Sequence, residues 1–305
     1  MRPQSGIFAL GSRAQHHLEL DLRPGTDPAA LRSVLAELGE TEVSGGATNV
    51  VIGFGSTLWG RLVSGPEAVG PVPRGVGPFV EVVGAGGHVA AATQHDMWIW
   101  VHGSGPDVVL DTVRAVLGAT DGVLSVATDV SCFVYHDSRD LTGFVDGTAN
   151  AAPVQAPDVA LVPDGEIGAG GSHVIVQRWI HDLASFDALD VADQELVFGR
   201  TKCDNVELDE SVKPANSHIA RAEIHDADGE EREIYRRSAP FGVGSEQGLM
   251  FLGFSADRDR FDEMLARMYD TAGTGMQDRL LGFTRAVSGA YYFAPSIEEL
   301  AAVSS

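Results

Sequence analysis

The feature that most limits the fold is an order of short apolar strands and amphipathic helices that occurs twice along the chain. In the first half, the predicted elements are a strand at 16–23, a helix from Asp27-Pro28, strands at 48–55 and 96–102, and a helix from Pro106. The first helix has Leu31, Val34, Leu35 and Leu38 on one face, and the second has Val109, Val113 and Val116 on one face. In the second half, they are a strand at 172–181, a helix at 191–198, a strand at 248–254 and a helix at 259–271. Helical and sequential antiparallel connections together predict an α+β fold with two ferredoxin-like modules, each an antiparallel sheet with peripheral helices.

The boundary between the two modules is predicted from composition. Residues 150–171 are rich in Ala, Pro and Gly, which is typical of a linker or an excursion from the fold. We therefore expect an N-terminal module over residues 1–150 and a C-terminal module over residues 151–305.

The charge of the chain limits its partners. A formal net charge of −22 repels phosphate backbones and anionic lipids, so we expect no nucleic-acid partner and no membrane partner. No segment approaches the roughly 18 consecutive apolar residues of a membrane span, and the start lacks the apolar core of a signal peptide. These observations predict a cytoplasmic protein. Cys132 and Cys203 have no neighbour at metal-ligand spacing, and we expect both to be buried.

The string at 140–150 contains Asp146 between Gly143 and Gly147. Glycines on both sides permit backbone conformations that a Cβ would block, and they leave the carboxylate free to face a flat or bulky ligand. The alternative is a plain turn, because Asp-Gly is a common turn dipeptide.

A second unusual region runs from 199 to 237 and concentrates positive charge in an acidic chain. It holds His218 and the following cationic residues: Arg200, Lys202, Lys213, Arg221, Arg232, Arg236 and Arg237. His218 is a candidate metal ligand or base, although most histidines only form hydrogen bonds. The cations either pair with Glu230, Glu231 and Glu233 or bind a carboxylate-bearing ligand, and the sequence leaves both interpretations open.

Two common enzyme classes receive no support. The glycines at 84–87 precede a strand instead of opening a helix, which argues against a dinucleotide-binding loop. The chain contains neither a Gly-x-Ser-x-Gly string nor a Walker A string, so serine hydrolases and nucleoside triphosphatases are not indicated.

Several motifs together resemble the dye-decolorizing peroxidases, specifically the bacterial B-type group. In chain order they are Pro3-Gln4-Ser5-Gly6-Ile7, Val51-Ile52-Gly53-Phe54-Gly55, Gln94-His95-Asp96, Gly143-Phe144-Val145-Asp146-Gly147, Gly199-Arg200-Thr201-Lys202, Asn216-Ser217-His218-Ile219-Ala220-Arg221, Ile234-Tyr235-Arg236-Arg237-Ser238-Ala239-Pro240-Phe241-Gly242, Gly248-Leu249-Met250-Phe251-Leu252-Gly253 and Asp278-Arg279-Leu280-Leu281. The resemblance runs nearly end to end. It implies two ferredoxin-like modules of the dimeric α+β barrel superfamily, with heme b (iron protoporphyrin IX) held mainly by the second module.

The resemblance assigns three residues to the cofactor. His218 resembles the proximal iron ligand, and Asp278 resembles the carboxylate that accepts the other ring N–H of that histidine. This contact strengthens the imidazole as a donor. Arg200 resembles a residue that pairs with a heme propionate, for which its planar guanidinium is suited.

Three further residues resemble the distal side of the family's site. Asp146 matches the acid–base position, where a carboxylate with an ordinary pKa of about 3.9 is ionised at neutral pH and can move a proton of hydrogen peroxide. Arg236 matches the distal arginine, which stabilises negative charge as the O–O bond breaks. Ser238 stands where many relatives have Asn. Its single hydroxyl predicts slower peroxide activation or a greater dependence on Asp146.

The implied function is a heme peroxidase that uses hydrogen peroxide to oxidise small aromatic, phenolic or dye-like donors through an oxoferryl intermediate. Bulky donors would not enter a narrow pocket, so we expect electrons to pass through surface aromatic residues; the alternative for each of these is a core position. The candidates are Trp98, Trp100, Trp179, Tyr235, Tyr291 and Tyr292. The acidic charge predicts a preference for cationic donors or Mn(II).

The resemblance also gives an expectation for the assembly of the protein. Relatives commonly form dimers or hexamers, which predicts a homo-oligomer, and the absence of a long tail after Pro295 argues against encapsulin association. Two rival functions remain at this point. One is a heme-binding or iron-handling protein on the same scaffold with incidental peroxidase activity, and the other is a binding domain without heme.

Overall fold

The computed structural model describes residues 1–43, 47–64, 70–147 and 150–305. The strands in these ranges are β1 (Ala14–Leu22), β2 (Thr48–Phe54), β3 (Val82–Val83), β4 (Val89–Ala90), β5 (Met97–Gly103), β6 (Leu124–Phe133), β7 (Ser172–His181), β8 (Tyr235–Arg236), β9 (Ala239–Val243), β10 (Glu246–Ser255), β11 (Thr284–Ala286) and β12 (Ala290–Ala294). The helices are α1 (Pro28–Val43), α2 (Ser56–Val63), α3 (Pro106–Thr120), α4 (Ala156–Ala160), α5 (Leu183–Asp187), α6 (Val191–Phe198), α7 (His218–Ala222), α8 (Asp259–Met268) and α9 (Ile297–Val303), with 3₁₀ turns at Ser5–Ile7 and Arg279–Gly282.

Both halves contribute to one antiparallel sheet, which has ten strands within the described ranges. Its order is β6-β1-β5-β2-β12-β7-β10-β8, and β11 and β9 pair with β7 and β10. If β3, β4, β9 and β11 are left aside, each half has four strands in the order fourth, first, third, second: β6-β1-β5-β2 and β12-β7-β10-β8. This is the ferredoxin-like order, so the predicted duplication is confirmed. The module boundary at residue 150 stays a prediction.

The two halves meet where Phe54 of β2 pairs with Phe293 of β12. On the opposite side, β6 approaches β9, so the sheet is nearly barrel-shaped. The interior of this barrel holds large aromatic side chains, among them Trp98, Trp100 and Phe254. Helices α1, α3 and α9 cover the outer face of the first half, and α8 covers that of the second half.

The strongest sequence patterns are found as predicted. Leu31, Val34, Leu35 and Leu38 of α1 are all buried, because their spacing places them on one helix face against the sheet. The strand at 172–181 and the helix at 191–198 have the predicted bounds.

Two helices were not predicted, and one expectation about a cysteine is wrong. The chain after β2 forms helix α2, which buries Leu58 and Trp59. The segment at 150–171, expected as a linker or an excursion, contains α4, which is packed against β10 and β8. Cys203 is exposed and only Cys132 is buried, because Cys203 lies in a loop that no other layer covers. Within the described ranges, no helix is both long and apolar enough to span a membrane.

Phe293 is fully buried where the halves join, so it offers a test of their cohesion. We expect Phe293→Ala to lower the free energy of unfolding by about 3–5 kcal/mol in a denaturant titration, because a large cavity forms in the core. Phe133→Ala is the matched control, since this side chain on β6 is 39% exposed, and its loss should cost about 1 kcal/mol. Equal losses for the two variants would contradict a tightly packed junction.

Candidate active site

A cavity lies between the outer face of the sheet in the second half and helices α7 and α8. It has two overlapping lobes, an outer lobe of about 1110 Å³ and an inner lobe of about 670 Å³, and both are partly open to solvent. Asp146, His218 and Arg236 line both lobes. The remaining walls of the inner lobe are mostly apolar and include Trp179, Leu249, Phe251, Met264, Leu265, Met268, Leu280 and Leu281. A concave apolar cavity with a few converging polar groups is typical of a cofactor or substrate site.

His218 begins α7 and has one ring nitrogen engaged. Its Nδ1–H donates to Oδ2 of Asp278 at 2.7 Å, and the edge of its ring packs against Phe198. Asp278 is fully buried, and its other oxygen accepts the backbone N–H of Leu280 at 2.8 Å. The bond to Asp278 leaves Nε2 of His218 as the nitrogen that can bind a metal.

The loop that carries Asp146 has the unusual backbone expected from its glycines. Gly143 and Gly147 have φ angles of +87° and +70°, which favour glycine. A Cβ on Gly143 would also lie 2.6 Å from the Lys202 side chain. The N–H of Asp146 donates to the carbonyl of Ser138 at 3.0 Å. The string therefore does more than turn the chain, because it brings Asp146 to the cavity. Residues 148 and 149 of the string lie outside the described residues.

Arg236 is held by a side chain that the sequence analysis did not single out. Asn150 donates from Nδ2 to the carbonyl of Arg236 at 2.8 Å, and Oδ1 of Asn150 accepts the N–H of Arg236 at 2.8 Å. Nε of Arg236 is buried and has no hydrogen-bond partner in the described structure. The backbone is thus fixed while part of the guanidinium remains available. The only signal in the sequence was that Asn150 ends the same string as Asp146.

Neighbouring charges act on the Asp146 carboxyl in opposite directions. Burial raises the pKa of Asp146, the Arg236 guanidinium opposes this rise, and the nearby Asp140 carboxylate adds to it. Arg236 therefore favours the ionised form of the Asp146 carboxyl, whereas burial and Asp140 disfavour it.

A buried Asp140–His181 pair also lines the outer lobe, and the sequence analysis did not identify it as a functional pair. Nε2 of His181 lies 3.0 Å from Oδ1 of Asp140, and the N–H of Thr142 donates to Oδ2 of Asp140 at 2.9 Å. Burial alone would raise the pKa of Asp140, but the hydrogen bonds from His181 and Thr142 hold it below its usual value. Asp140 is therefore a fixed negative charge beside Asp146. The signals for this pair were weak: a second aspartate in the string and a histidine at a strand end.

Three of the cations, Arg200, Lys213 and Arg232, have acidic partners within the protein. Arg200 lines the outer lobe, donates from Nη1 to the carbonyl of Asn205 at 3.1 Å and lies 3.6 Å from Glu207. Lys213 also pairs with Glu207, and Arg232 pairs with Glu263, both at 2.6 Å. The predicted ion pairing is thus observed with acidic residues other than those proposed.

Ser238 lies apart from the two lobes. It lines a separate groove that also reaches Asp146 and Arg236. Its Oγ accepts the N–H of Leu252 at 3.2 Å. Five of the six predicted site residues therefore lie on this cavity or behind it, and Ser238 lines a separate groove.

The proposed surface aromatics are not at the surface. All six are at most 7% exposed, and Trp98 and Trp100 are completely buried inside the barrel. The alternative of a core position therefore holds for all six, because the rings face the cores on either side of the sheet.

The cavity is compatible with a large planar cofactor. Besides Arg236, two residues at or beside the cavity have buried polar atoms without a partner in the described structure. These atoms are Oγ of Ser217 and both side-chain polar atoms of Gln177. Such atoms are costly unless a ligand or water satisfies them. An imidazole supported by a carboxylate, apolar walls and opposing carboxyl and guanidinium groups together fit an iron porphyrin.

Family models of the Dyp-type peroxidases match the chain in two parts. The N-terminal model matches residues 4–134 and the C-terminal model matches residues 137–299. The chain belongs to the Dyp-type peroxidase family. It is therefore a heme peroxidase, an oxidoreductase whose family uses heme, and the two rival functions are not favoured.

Individual relatives agree with this assignment. The chain is 39% identical to a dye-decolorizing peroxidase of Mycobacterium tuberculosis over 83% of this chain and 74% of that protein. It is 37% identical to one of Rhodococcus erythropolis over 89% and 80%. DypB from Rhodococcus jostii RHA1 superposes with a TM-score of 0.90 at 34% identity, covering 99% of this chain and 98% of DypB. Variants of DypB have been solved in complex with heme and with manganese.

The opposing effects on Asp146 give a prediction for its titration. In the heme-free protein, we expect Asp140→Asn to lower the pKa of Asp146 and Arg236→Leu to raise it, because the first change removes a negative neighbour and the second a positive one. The carboxyl ¹³C resonance of Asp146, assigned by its loss in Asp146→Asn, reports both shifts. Asp164→Asn, at a 91% exposed side chain, should leave the titration unchanged. Shifts in the same direction for both variants would contradict the electrostatic account.

Proposed function

We propose that this heme peroxidase activates hydrogen peroxide with Asp146 and Arg236, on a heme b that is bound through His218. The observation that carries the proposal is that one cavity is lined by Asp146, Arg236 and His218, with Nδ1 of His218 bound to the buried Asp278. When bound, the heme supplies an iron that binds peroxide and accepts its oxidising equivalents.

The proposed roles of the protein groups follow from their chemistry. His218 binds the iron through Nε2, and Asp278 holds the proton on Nδ1, which fixes the ring orientation and increases the basicity of the imidazole. Asp146 accepts a proton from one peroxide oxygen and returns it to the other, which leaves as water. Arg236 stabilises the negative charge that develops on the leaving oxygen. Arg200, in the outer lobe, pairs with a heme carboxylate.

The function is tested by the reaction of the heme-loaded protein with stoichiometric peroxide in stopped-flow absorbance. We expect Asp146→Asn and Arg236→Leu to slow the first change in the Soret band by about 10²–10⁴-fold, because proton transfer or charge stabilisation is lost. Parent rates in both variants would overturn these roles.

Matched controls separate local from general effects. Asp164→Asn and Arg74→Leu remove the same charges at side chains that are 91% exposed, and they should react at the parent rate. His218→Ala should abolish stable heme binding. Normal heme affinity and an unchanged spectrum in this variant would refute the ligand assignment.

We also propose that cationic donors and Mn(II) are preferred. The support is the net charge of −22, which attracts cations over long range, and the manganese complex of a DypB variant. Because the described aromatic candidates are buried, oxidation of bulky donors would proceed through protein groups without direct ring contact.

The donor preference is tested with two phenols of similar size. Tyramine, a cation, should have a higher second-order rate constant than 3-(4-hydroxyphenyl)propionate, an anion, and the difference should shrink as ionic strength rises from 0.01 to about 0.5 M. Equal rates that do not respond to salt would exclude long-range electrostatic selection.

The assembly and the cellular location of the protein are also proposals. We propose a homo-oligomer, a dimer or hexamer as is common among relatives, in the cytoplasm. Support for the location is that Cys132 and Cys203 are both free thiols, which is typical of a reducing compartment.

A further inference from the structure

Gln177 is a buried polar residue that the proposed mechanism does not use. It lies on β7, lines the inner lobe of the cavity and is 0% exposed. Neither its Oε1 nor its Nε2 has a hydrogen-bond partner in the described structure. It is thus a carboxamide with two donors and one acceptor, enclosed beside a cavity, with no protein group to satisfy it.

Two other buried carboxamides, those of Gln4 and Gln194, are satisfied at both ends. Gln4, also 0% exposed, donates from Nε2 to the carbonyls of Ile52 and Pro295, and its Oε1 accepts the N–H of Ile52 at 2.8 Å. Gln194 likewise donates from Nε2 to the carbonyl of Phe186 and accepts from Nζ of Lys202. The fold therefore satisfies buried glutamines elsewhere, and Gln177 is an exception.

The surroundings of Gln177 show what is lacking. On the same side of the sheet, the neighbouring walls of the inner lobe are Trp179, Leu249 and Phe251, which offer little hydrogen bonding to an amide. His218 and Arg236 bound the same lobe.

His181 and Thr284 also line the lobe, but they are hydrogen-bonded to each other and to Asp140 and the carbonyl of Ile180. A group that enters the lobe from outside the protein chain could therefore satisfy Gln177, which no protein group does in the described structure. A local violation of polar satisfaction at a functional cavity is where a ligand contact is expected.

We infer that Gln177 is a positioning residue of the cofactor site, whose carboxamide hydrogen-bonds an oxygen that enters the inner lobe with the heme. That oxygen belongs either to a heme carboxylate or to a water that the bound heme encloses. The inference rests on the proposed function, in which His218 binds the heme iron in this cavity.

The inference predicts opposite effects on the empty and the loaded protein. In the heme-free protein, Gln177→Leu replaces an unsatisfied carboxamide by an apolar side chain among apolar neighbours, so the melting temperature should rise by about 2–4 °C. In the loaded protein, the same change removes a hydrogen bond, so the hemin dissociation constant should increase about 2- to 10-fold. Calorimetry of the heme-free chain and a hemin titration followed at the Soret band measure the two effects without any turnover.

Gln4→Leu is the matched control, because it removes a buried carboxamide whose hydrogen bonds are all made. It should lower the melting temperature of both forms and leave the hemin affinity unchanged. If Gln177→Leu instead lowers the melting temperature of the heme-free protein, fails to fold, or binds hemin with parent affinity, the inference is overturned.

Gln177→Glu distinguishes the two sources of the oxygen. Facing a heme carboxylate, the introduced negative charge should weaken hemin binding more than Gln177→Leu does. Facing a water, it retains an acceptor, and hemin affinity should stay within about threefold of the parent. Failure of the parent itself to bind hemin would overturn the proposed function, whereas normal parent binding with unaltered Gln177 variants would overturn this inference alone.

Discussion

The contact between His218 and Asp278 is the interaction on which the candidate site depends. It joins the first residue of a one-turn helix to a fully buried carboxylate that lies 60 residues later in the chain. Asp278 is itself fixed, because its N–H donates to the carbonyl of Met268 at the end of α8 and its side chain accepts the N–H of Leu280. A five-residue helix has little stability of its own. The orientation of the imidazole is therefore set by the packed α8 layer and not by α7.

The opposite side of the cavity is organised by a different kind of contact. Asn150 forms a two-bond bridge to the backbone of Arg236, which ties the loop carrying Asp146 to β8. The same loop is tied to β7 through Asp140 and His181. The carboxyl and guanidinium groups are thus held by backbone and side-chain hydrogen bonds from separate strands, and their charges influence each other. This arrangement links the protonation of Asp146 to the geometry of the whole loop.

Much of the fold could be predicted from the sequence, because the decisive information is local. The spacing of Leu31, Val34 and Leu38 specifies a helix face without reference to any partner. Helix α2 was missed because Gly55 gives it no capping side chain and Gly60 lies within it, whereas the equally short α6 is capped by Asp190. Cys203 was misjudged because the exposure of a loop depends on which layers cover it. The same limit explains why the sequence left both a surface and a core position open for the large aromatics. A ring in a strand has no local mark that distinguishes a barrel interior from an outer face.

The residues of the site also fall into those that the local sequence marks and those that it does not. Asp146, Arg236 and His218 could be found because they occur in recognisable strings, and the cavity brings them together. The sequence contains no comparable signal for Asn150, His181 and Gln177. The first two have partners that are distant in sequence and the third has no partner, and neither condition produces a periodic sequence pattern.

Unsatisfied polar atoms also connect the cofactor to the stability of the fold. Ser217, Gln177 and Arg236 each contribute buried polar atoms without a partner, and all three lie on the cavity or next to a residue that lines it. In the heme-free protein, these unpaired atoms lower the stability of the fold. Any hydrogen bond that they make to the cofactor forms only when heme binds. A ligand that binds only the folded state stabilises it in proportion to the logarithm of its concentration over its dissociation constant. The polar atoms that make the empty cavity unfavourable are thus the same atoms through which heme binding would stabilise the chain.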